Sequence, residues 1–387
     1  MKSKEELSQR EHAEVHARKV RGETNREIGL ALGISSSTVS KWLRVPLATG
    51  PVQVPIDEQI LHLRARVQVQ DKEISNLRTE IGEQKEIKHA LVQAVRAIEP
   101  FKRVPYKAPS KSGSPVTAVL NVSDWQIGEI INAAETEGFG RFDWETAQRR
   151  MFFIVDKFIA WVNAMRSAYR IDECRIFRLG DLVSGNIHKE LEITNEFPAP
   201  VATAKAGFLL AEVASRISAH FSTVVLEGVD ADNHGRLNPK PQAKQKAHNN
   251  WCYLAAVIAE EALKKHGNVD FRWTEGMKYV ADVNGQRFLL QHGDTIKSSF
   301  GIPYYGMERD RAREATRRMN TDKTFGYIVC GHWHVRALIA SNIYVNGCLT
   351  GTTEFDHGCG RHAPPTQLAF LVHPKHGVFN EIGLSVN

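Results

Sequence analysis

The chain has several features in short supply, and each absence excludes a class of protein. In its 387 residues no apolar run approaches the roughly 18 residues of a membrane-spanning helix. Residues 1–21 are highly charged and lack an apolar core, so they do not form a signal peptide. Five cysteines, at positions 174, 252, 330, 348 and 359, show no metal-binding spacing, and an odd number without a framework fits a reducing compartment. We therefore expect a cytoplasmic protein that does not enter a membrane.

Basic residues are in modest excess. The 50 lysines and arginines exceed the 44 aspartates and glutamates, which gives a net charge of +6. This excess favours a polyanionic partner without identifying it. The length allows two or three domains, and the sequence has no internal repeat.

The sequence does contain five short polar clusters, each after an apolar run that is typical of a β-strand. The runs cover residues 117–122, 174–179, 223–229, 287–291 and 327–330. The clusters are Asp124-Trp125-Gln126, Gly180-Asp181-Leu182-Val183-Ser184-Gly185, Asp232-Asn233-His234, His292-Gly293-Asp294 and Gly331-His332-Trp333-His334. Open α/β sheets place their sites at the ends of strands. Carboxylates, imidazoles and an amide suit Mn, Fe, Zn or Mg, and no thiolate is needed.

The order of these clusters resembles the calcineurin-like metallophosphoesterase superfamily, whose pattern is Asp-x-His, Gly-Asp, Gly-Asn-His, His and Gly-His-x-His. The resemblance covers residues 117–387. It implies an α/β fold in the form of a four-layer αββα sandwich, with two packed sheets, helices outside, and two metal ions at the sheet ends. Two cations about 3.5–4 Å apart can stabilise both the attacking and the leaving oxygen of a phosphodiester.

Carried over by position, the resemblance implies a role for each polar residue. The metal ligands would be Asp124, Gln126, Asp181, Asn233, His292, His332 and His334. Asp181 would bridge the two ions and so act in catalysis. His234 would lie just off the ions, where an imidazole with a pKa near neutrality can protonate the departing oxygen.

Two residues depart from the family pattern. Gln126 stands where the family usually has His, and an amide oxygen is a weaker ligand for Zn than an imidazole. The first metal site is therefore expected to be looser, to favour Mn or Mg, or to fill only with substrate present. Asp232 stands where the family usually has Gly, and Asp is among the better substitutes at a positive φ. We expect two divalent ions, with Mn²⁺ as the first choice.

The second cluster separates this chain from the serine/threonine phosphatases of the superfamily. Its run, residues 180–186, lacks the Arg with which those enzymes grip a phosphomonoester. His188 follows closely, as a His after Gly-Asp does in the DNA-repair exonuclease branch, although the spacing here is longer. A surface position in a loop is the alternative for His188.

Residues 1–48 predict a separate all-α domain. Residues 24–32 and 35–44 are two predicted helices with Gly33 between them and Ser35 or Ser36 as an N-cap. Helix, glycine turn and helix form the helix-turn-helix pattern, and the segment resembles the resolvase and transposase type. The resemblance implies that DNA is contacted by Ser36, Ser37, Ser40, Lys41 and Arg44. A small helical bundle that binds protein is the alternative.

Residues 57–99 predict a coiled-coil helix. Heptad core positions, from Ile60 and Leu63 to Val95 and Ile98, are apolar at nine of twelve places. β-branched residues at the first core position, with Leu frequent at the second, favour a parallel dimer. A single helix on the catalytic domain is the alternative. Residues 100–116 contain several prolines, four basic residues and no acid, and predict a linker.

Within residues 117–387, helices are predicted at about 144–168, 199–220 and 246–265. The loop after His234 carries Arg236 and Lys240, followed by Lys244 and Lys246, and it either contacts a phosphate backbone or is a solvated loop. Asn346 and Gln367 have no predicted chemistry beyond closure of the fold.

The leading functional hypothesis is a metal-dependent DNA nuclease, dimeric through its coiled coil and directed to DNA by its helix-turn-helix. An ATPase partner is expected in the repair-nuclease branch, and the domain pairing resembles that of phage or prophage genes. A small-molecule or cyclic-nucleotide phosphodiesterase is one alternative. A DNA-binding regulator with a degenerate phosphoesterase domain is the other, and Gln126 is the feature that supports it.

Overall fold

A computed structural model describes residues 4–45, 66–75, 113–238, 240–298 and 302–386. The chain divides into two compact units, Met1–Gln84 and Lys85–Asn387. The predicted coiled coil falls within the described residues only at 66–75, and the predicted linker only at 113–116. The remainder of both segments lies outside the described residues. Among the helices that are described, none combines the length and the apolar character needed to cross a membrane.

The first unit contains helices α1 (Lys4–Val20), α2 (Asn25–Leu32) and α3 (Ser36–Trp42), and residues 66–75 are also helical (α4). α2 begins at a capping box formed by Thr24 and Glu27, and it ends at Gly33, whose φ of 67° is left-handed. Ser35 caps α3 by accepting a hydrogen bond from the Thr38 N–H. Both predicted helices are confirmed, with Ser35 as the cap of the second.

α1 was not predicted from the sequence, because most of its residues are polar. Among its residues 10–20, whose side chains the structure describes, Val15 is fully buried and packs with Ile28 of α2 and Val39 of α3. His12 and His16 also place Nε2 at 2.5 and 3.2 Å from the Trp42 carbonyl at the end of α3. The few apolar residues of α1 do not repeat at helical spacing along one face, so they give no clear periodic signal in the sequence.

The second unit contains two sheets. The strands are β1 (Ser114–Val122), β2 (Tyr169–Arg178), β3 (Thr223–Gly228), β4 (Val269–Phe271), β5 (Lys278–Val283), β6 (Gln286–Gln291), β7 (Tyr327–Cys330), β8 (Ala337–Ile339), β9 (Ile343–Val345), β10 (Thr366–His373) and β11 (Gly377–Ser385). The first sheet has the order β11-β10-β1-β2-β3-β4, and the second has the order β5-β6-β7-β9-β8. β1 to β4 run parallel, as do β6, β7 and β9.

All five predicted strands are present. β1 begins at Ser114 rather than at the predicted residue 117, although Pro115 lacks a backbone donor. The strand tolerates this proline because its pairing with β2 is irregular between Pro115 and Thr117.

The helices of this unit are α5 (Trp144–Met165), α6 (Lys189–Thr194), α7 (Ala199–Ser218), α8 (Trp251–Leu263), α9 (Tyr304–Arg318) and α10 (Glu354–Gly358). Three of them confirm the predicted helices, but α8 starts later than the predicted residue 246. Asn250 caps α8 by accepting a hydrogen bond from the Cys252 N–H, so the residues before it form a loop.

The layers follow from the alternation of side chains along each strand. Val119 and Phe177 of the first sheet pack with Phe288 and Val329 of the second, which places an apolar core between the sheets. The neighbouring residues on β1 to β3 point the other way, into a core with α5, α7 and α8. Met307 of α9 packs on the outer face of the second sheet. The unit is therefore a mixed α/β fold with the predicted order of four layers.

Candidate metal centre

The predicted ligands follow strands whose carboxyl ends lie at one edge of the two sheets. The backbones of these segments are joined directly: the Asp124 N–H donates to the Gly180 carbonyl at 3.1 Å, and the Gly331 N–H donates to the His292 carbonyl at 2.9 Å. Five non-glycine residues with positive φ belong to the predicted site: Asp124, Gln126, Asp181, His332 and His334. Such conformations cost about 1–3 kcal/mol each and concentrate at functional sites.

Asp181 lies at the centre of the cluster. Its Oδ1 accepts from the His234 N–H at 3.0 Å. Its Oδ2 lies 3.0 Å from Nε2 of His292 and 3.3 Å from Nε2 of Gln126. Its own N–H donates to Oδ2 of Asp232 at 3.0 Å. One carboxylate thus contacts a ligand predicted for the first ion, Gln126, and a ligand predicted for the second ion, His292, as a bridging ligand must.

The ligands predicted for the second ion, Asp181, Asn233, His292 and His332, form the more compact group. Ligand atoms of Asp181, His292 and His332 all lie within 4.8 Å of one another. Oδ1 of Asn233 is 2.9 Å from Nε2 of His292. Nδ1 of His292 donates to the Leu179 carbonyl at 2.7 Å, so Nε2 is the nitrogen that faces the cluster. These donors fit a divalent cation.

The ligands predicted for the first ion, Asp124, Gln126, Asp181 and His334, are arranged more loosely. Nε2 of His334 is 3.8 Å from Oδ1 of Asp124. Gln126 is almost fully buried, and its Oε1 accepts no hydrogen bond from any residue that the structure describes. A buried carbonyl oxygen without a donor is costly, and a cation would satisfy it. The amide at this position therefore fits a metal ligand, although its NH₂ group is turned to Asp181.

Protonated histidine rings balance the negative charge of the carboxylates in the cluster. Burial opposes protonation of His292, but the Asp181 carboxylate outweighs it and raises the pKa of the ring to about 10. In the same way Asp356 and Asp124 raise the pKa of His334 to about 9. Burial lowers the pKa of His332 to about 3, so this ring is already in the neutral form that binds metals. Burial raises the pKa of Asp124 to about 6.

His234 lies beside the cluster. Its Nδ1 donates to the Ser184 carbonyl at 3.1 Å, which leaves Nε2 for proton transfer. Burial lowers its pKa below the ordinary value. The exposed His188 ring lies 6.3 Å from the His234 ring, edge to face. His188 is thus a neighbour of the candidate acid.

Sequence reasoning missed a buried network around Asp124. The Ser123 hydroxyl donates to Oδ2 of Asp124 at 2.5 Å, and Nδ2 of Asn346 donates to the same hydroxyl at 2.9 Å. Oε1 of Gln367 accepts from the Ser123 N–H at 3.0 Å. Asn346 and Gln367 therefore orient a predicted ligand, which goes beyond closure of the fold. The available signal was Asn346 directly after β9, which lies parallel to β7.

Two further carboxylates near His334 were also missed. Oδ2 of Asp356, in α10, is 2.9 Å from Nδ1 of His334, which directs Nε2 of that ring towards Asp124. Arg361 and Thr353 hold Asp356 in place. Burial raises the pKa of Glu129 to about 7. Neither residue belongs to a strand-end cluster, and no signal in the sequence marks them.

The predicted DNA contacts belong to both units. In the first unit Ser36, Ser37, Lys41 and Arg44 are exposed, whereas Ser40 is half-buried and accepts a hydrogen bond from Asn25 at 3.0 Å. In the second unit Lys240 is exposed. Arg236 is half-buried, and its Nε donates to the Asn238 carbonyl at 3.0 Å.

The protonated imidazoles predict how metal binding depends on pH. The pKa values of His292 and His334 lie above the ordinary value, so protonation stabilises the metal-free fold at low pH, and this contribution is lost as the pH rises through about 9 and 10. An ion needs the unprotonated rings. Mn²⁺ at one fixed concentration, ~100 times its Kd at pH ~8, should raise Tm by about 5 °C or more at that pH and by less near pH ~6. A shift that shrinks as the pH rises, in thermal melts with and without chelator, would contradict this assignment.

No family model and no curated protein matches the chain. Solved structures match only distantly. A predicted phosphoesterase from Streptococcus pneumoniae is 10% identical with a TM-score of 0.26, over 70% of this chain and 99% of its own. Vps29 from Entamoeba histolytica, in complex with Zn²⁺, is 11% identical with a TM-score of 0.25, over 69% and 99%. A 5′-nucleotidase from Candida albicans is 10% identical with a TM-score of 0.28, over 73% and 54%. Matches this weak assign neither a family nor an activity.

Proposed function

We propose that this chain is a metal-dependent phosphodiesterase of the calcineurin-like metallophosphoesterase superfamily, and that its substrate is DNA. The observation that carries the proposal is the convergence of ligand-type side chains from five strand ends on Asp181. A carboxylate whose Oδ2 lies next to both the Gln126 amide and the His292 imidazole suits a position between two cations. The excess of basic residues in the chain suits a polyanionic substrate.

In the proposed mechanism, Asp124, Gln126, Asp181 and His334 would hold one ion, and Asp181, Asn233, His292 and His332 would hold the other. Bound ions would supply the Lewis acid that polarises the phosphoryl group and lowers the pKa of water. Asp232 holds the Asp181 backbone in its left-handed conformation through the 3.0 Å hydrogen bond. This contact keeps the bridging carboxylate pointed into the cluster.

His234 donates a proton to the leaving oxygen. The Ser184 carbonyl engages Nδ1, so the proton leaves from Nε2. The lowered pKa of this buried ring makes its cation a stronger acid than free imidazole. Attack of a water oxygen on phosphorus, with loss of a proton from that water to solvent, and breakage of the P–O bond to the leaving oxygen then give a phosphomonoester and a free hydroxyl.

The first unit would deliver the enzyme to DNA. α2 and α3 meet at a left-handed glycine, and the exposed face of α3 carries serines and Lys41. Such a helix can enter a major groove. In α4, Val67 and Ile74 are 53% and 46% exposed and fall on one predicted heptad position. We propose that the coiled coil of residues 57–99 covers them in a homodimer.

The test is hydrolysis of end-labelled single- and double-stranded DNA by the purified full chain with Mn²⁺, with a chelator as control. Cleavage that stops with the chelator supports a nuclease, and the product ladder distinguishes exonuclease from endonuclease action. If DNA stays intact while bis(p-nitrophenyl) phosphate is hydrolysed, the proposed substrate becomes a small phosphodiester instead of DNA. Failure with both substrates would favour a DNA-binding regulator.

Gln126 allows a sharper test of the first metal site. Gln126→His restores the stronger ligand and should raise the affinity for Zn²⁺ about tenfold or more, whereas Gln126→Ala should weaken activation by Mn²⁺ about 10- to 100-fold. Titration of metal-free protein, with activity and calorimetry as readouts, measures both. Equal metal affinities in all three proteins would remove Gln126 from the site.

A further inference from the structure

α9 has an unusual distribution of charge. Its sequence is mostly charged, yet the acidic side chains Asp310 and Glu314 face the second sheet. Nζ of Lys278, on β5, lies 3.1 Å from Asp310 and 3.2 Å from Glu314, and Arg318 also pairs with Glu314. The negative charge of the helix is therefore largely neutralised on its inner side.

The outer side of α9 carries an arginine row, defined as Arg309, Arg313 and Arg317. All three are exposed, and they repeat every fourth residue, so they lie on one face of the helix. Arg317 is 3.5 Å from Glu314 with its side chain 76% exposed. Glu308 is the one acid among the exposed residues of α9, and the structure gives Arg309 and Arg313 no ion pair with any residue it describes.

This row works against the stability of the helix. Like charges four residues apart repel each other, and a solvated helix gains more from alternating Glu and Arg. Guanidinium groups match phosphate oxygens with two parallel hydrogen bonds, which a lysine cannot do. The row spans about 12 Å. Measured along the axis of duplex DNA, this length holds roughly three to four phosphates of one strand, at a rise of about 3.4 Å each. Its chemistry and spacing suit a phosphate backbone.

The row starts beside the candidate metal centre. β6 ends just before His292, and the parallel connection to β7 places the start of α9 at the same edge of the sheet. The first turn of α9 packs against the loop after His292 so closely that a Cβ on Gly306 would meet the Lys297 carbonyl. Gln291, next to His292, donates to Asp310 at 2.9 Å. These contacts hold α9 rigidly at the rim.

A second basic segment is attached to the same loop. Nζ of Lys246 is 2.7 Å from Oδ2 of Asp294, which ties the loop that carries Arg236 and Lys240 to the segment after His292. Exposed Lys297 lies in that segment as well. Basic side chains thus continue from the loop before α8, past the candidate metal centre, to the arginine row.

We propose that the arginine row binds the phosphate backbone of the DNA strand whose phosphodiester lies at the metal centre. The inference rests on the proposed nuclease function and names the surface that guides its substrate. The row contributes binding energy outside the cluster of ligands. It therefore affects long substrates and leaves the hydrolysis of a small phosphodiester unchanged.

The test compares the wild-type chain with Arg309→Gln/Arg313→Gln/Arg317→Gln. Fluorescence anisotropy of labelled single- and double-stranded DNA, in EDTA and over a series of salt concentrations, gives Kd and its salt dependence. At physiological salt, Kd should rise about 10- to 100-fold, and the slope of log Kd against log salt should fall by about 2–3. Hydrolysis of bis(p-nitrophenyl) phosphate and the Tm should stay close to wild type.

The matched control is Arg170→Gln/Lys264→Gln/Lys265→Gln, which removes the same charge at the opposite edge of the first sheet. Arg170 lies at the start of β2, and the two exposed lysines follow α8. DNA binding should change less than about twofold in this variant. An equal loss in both triple variants would reduce the effect to net charge and overturn the proposal.

Other outcomes separate this inference from the nuclease proposal. If the wild type cleaves DNA and the row variant binds and cleaves DNA equally well, the proposed role of the arginine row is wrong and the proposed nuclease function stands. If the wild type cleaves no DNA but the row variant has lost DNA binding, the row stands and the nuclease fails. Loss of heparin binding with DNA binding intact would assign the row to another polyanion and overturn the proposal.

Discussion

Asp181→Asn should abolish metal-dependent hydrolysis of DNA and of bis(p-nitrophenyl) phosphate. The change keeps the shape of the side chain but removes the charge of the carboxylate whose Oδ2 contacts both Gln126 and His292. The amide also brings an NH₂ group where two ligand oxygens are needed. We expect kcat to fall by about 1000-fold or more, equivalent to about 4 kcal/mol.

The matched control is Asp156→Asn, because Asp156 is exposed on α5. It should retain full activity. Asp181→Asn also removes the anion that raises the pKa of His292, so the fraction of folded protein must be measured by circular dichroism at the assay temperature. A folded Asp181→Asn protein that keeps more than about a tenth of wild-type activity would remove Asp181 from the bridging position.

The second large effect should come from a buried ion pair at the end of β2. Nη1 of Arg178 lies 3.0 and 3.1 Å from the two carboxylate oxygens of Asp230, and both side chains are almost fully buried. The guanidinium also lies 4.8 Å from the centre of the Trp273 ring. Arg178→Met leaves a buried carboxylate without its cation. The free energy of unfolding should fall by about 3–5 kcal/mol in urea titrations.

The pH dependence of this loss follows from Asp230. Burial raises the pKa of this carboxyl even with Arg178 present, and the pKa should rise further without the cation. Protonation removes the unpaired charge, so the loss should be smaller near pH ~5 than near pH ~8. Arg178→Met/Asp230→Leu should recover much of the stability. No recovery would show that Arg178 acts through packing on Trp273 and not through the ion pair.

Arg170→Met is the control for position on the strand. Arg170 pairs with Asp172 at 3.3 Å on the same strand, but the two side chains are 40% and 42% exposed. Water solvates both partners before and after the change. The loss should stay below about 1 kcal/mol.

The strands and the site could be predicted together because one feature produces both. A run of apolar residues marks a buried strand, and a polar residue soon after it marks the carboxyl end, as Asp181 does three residues after β2. Ligands such as His292 and His332 lie one or two residues beyond a strand. Their separation in space is therefore decided by which strands are neighbours, and parallel order supplies that.

The partners of the ligands could not be predicted, because their contacts join residues far apart in sequence. Asn346 reaches Ser123 across 223 residues, and Gln367 reaches it across 244. A single sequence carries no record of such pairs. Asp356 is nearer to His334, but it lies in a short helix that has no apolar period. α1 escaped prediction for a related reason, since its described contacts with α2 and α3 come from Val15, His12 and His16, which form no apolar period.

The long separation between Ser123 and its partners also orders events during synthesis. β1 is the third strand of its sheet, yet it is synthesised long before its neighbour β10. Until residues 346–372 emerge, Ser123 lacks Asn346 and Gln367, and the Asp124 carboxylate has no fixed direction. Domains fold as units while the chain grows, and distant pairings form last. In the proposed nuclease, a growing chain would therefore present α2 and α3 well before the candidate metal centre is complete, because Asp124 is oriented only once β10 has joined β1.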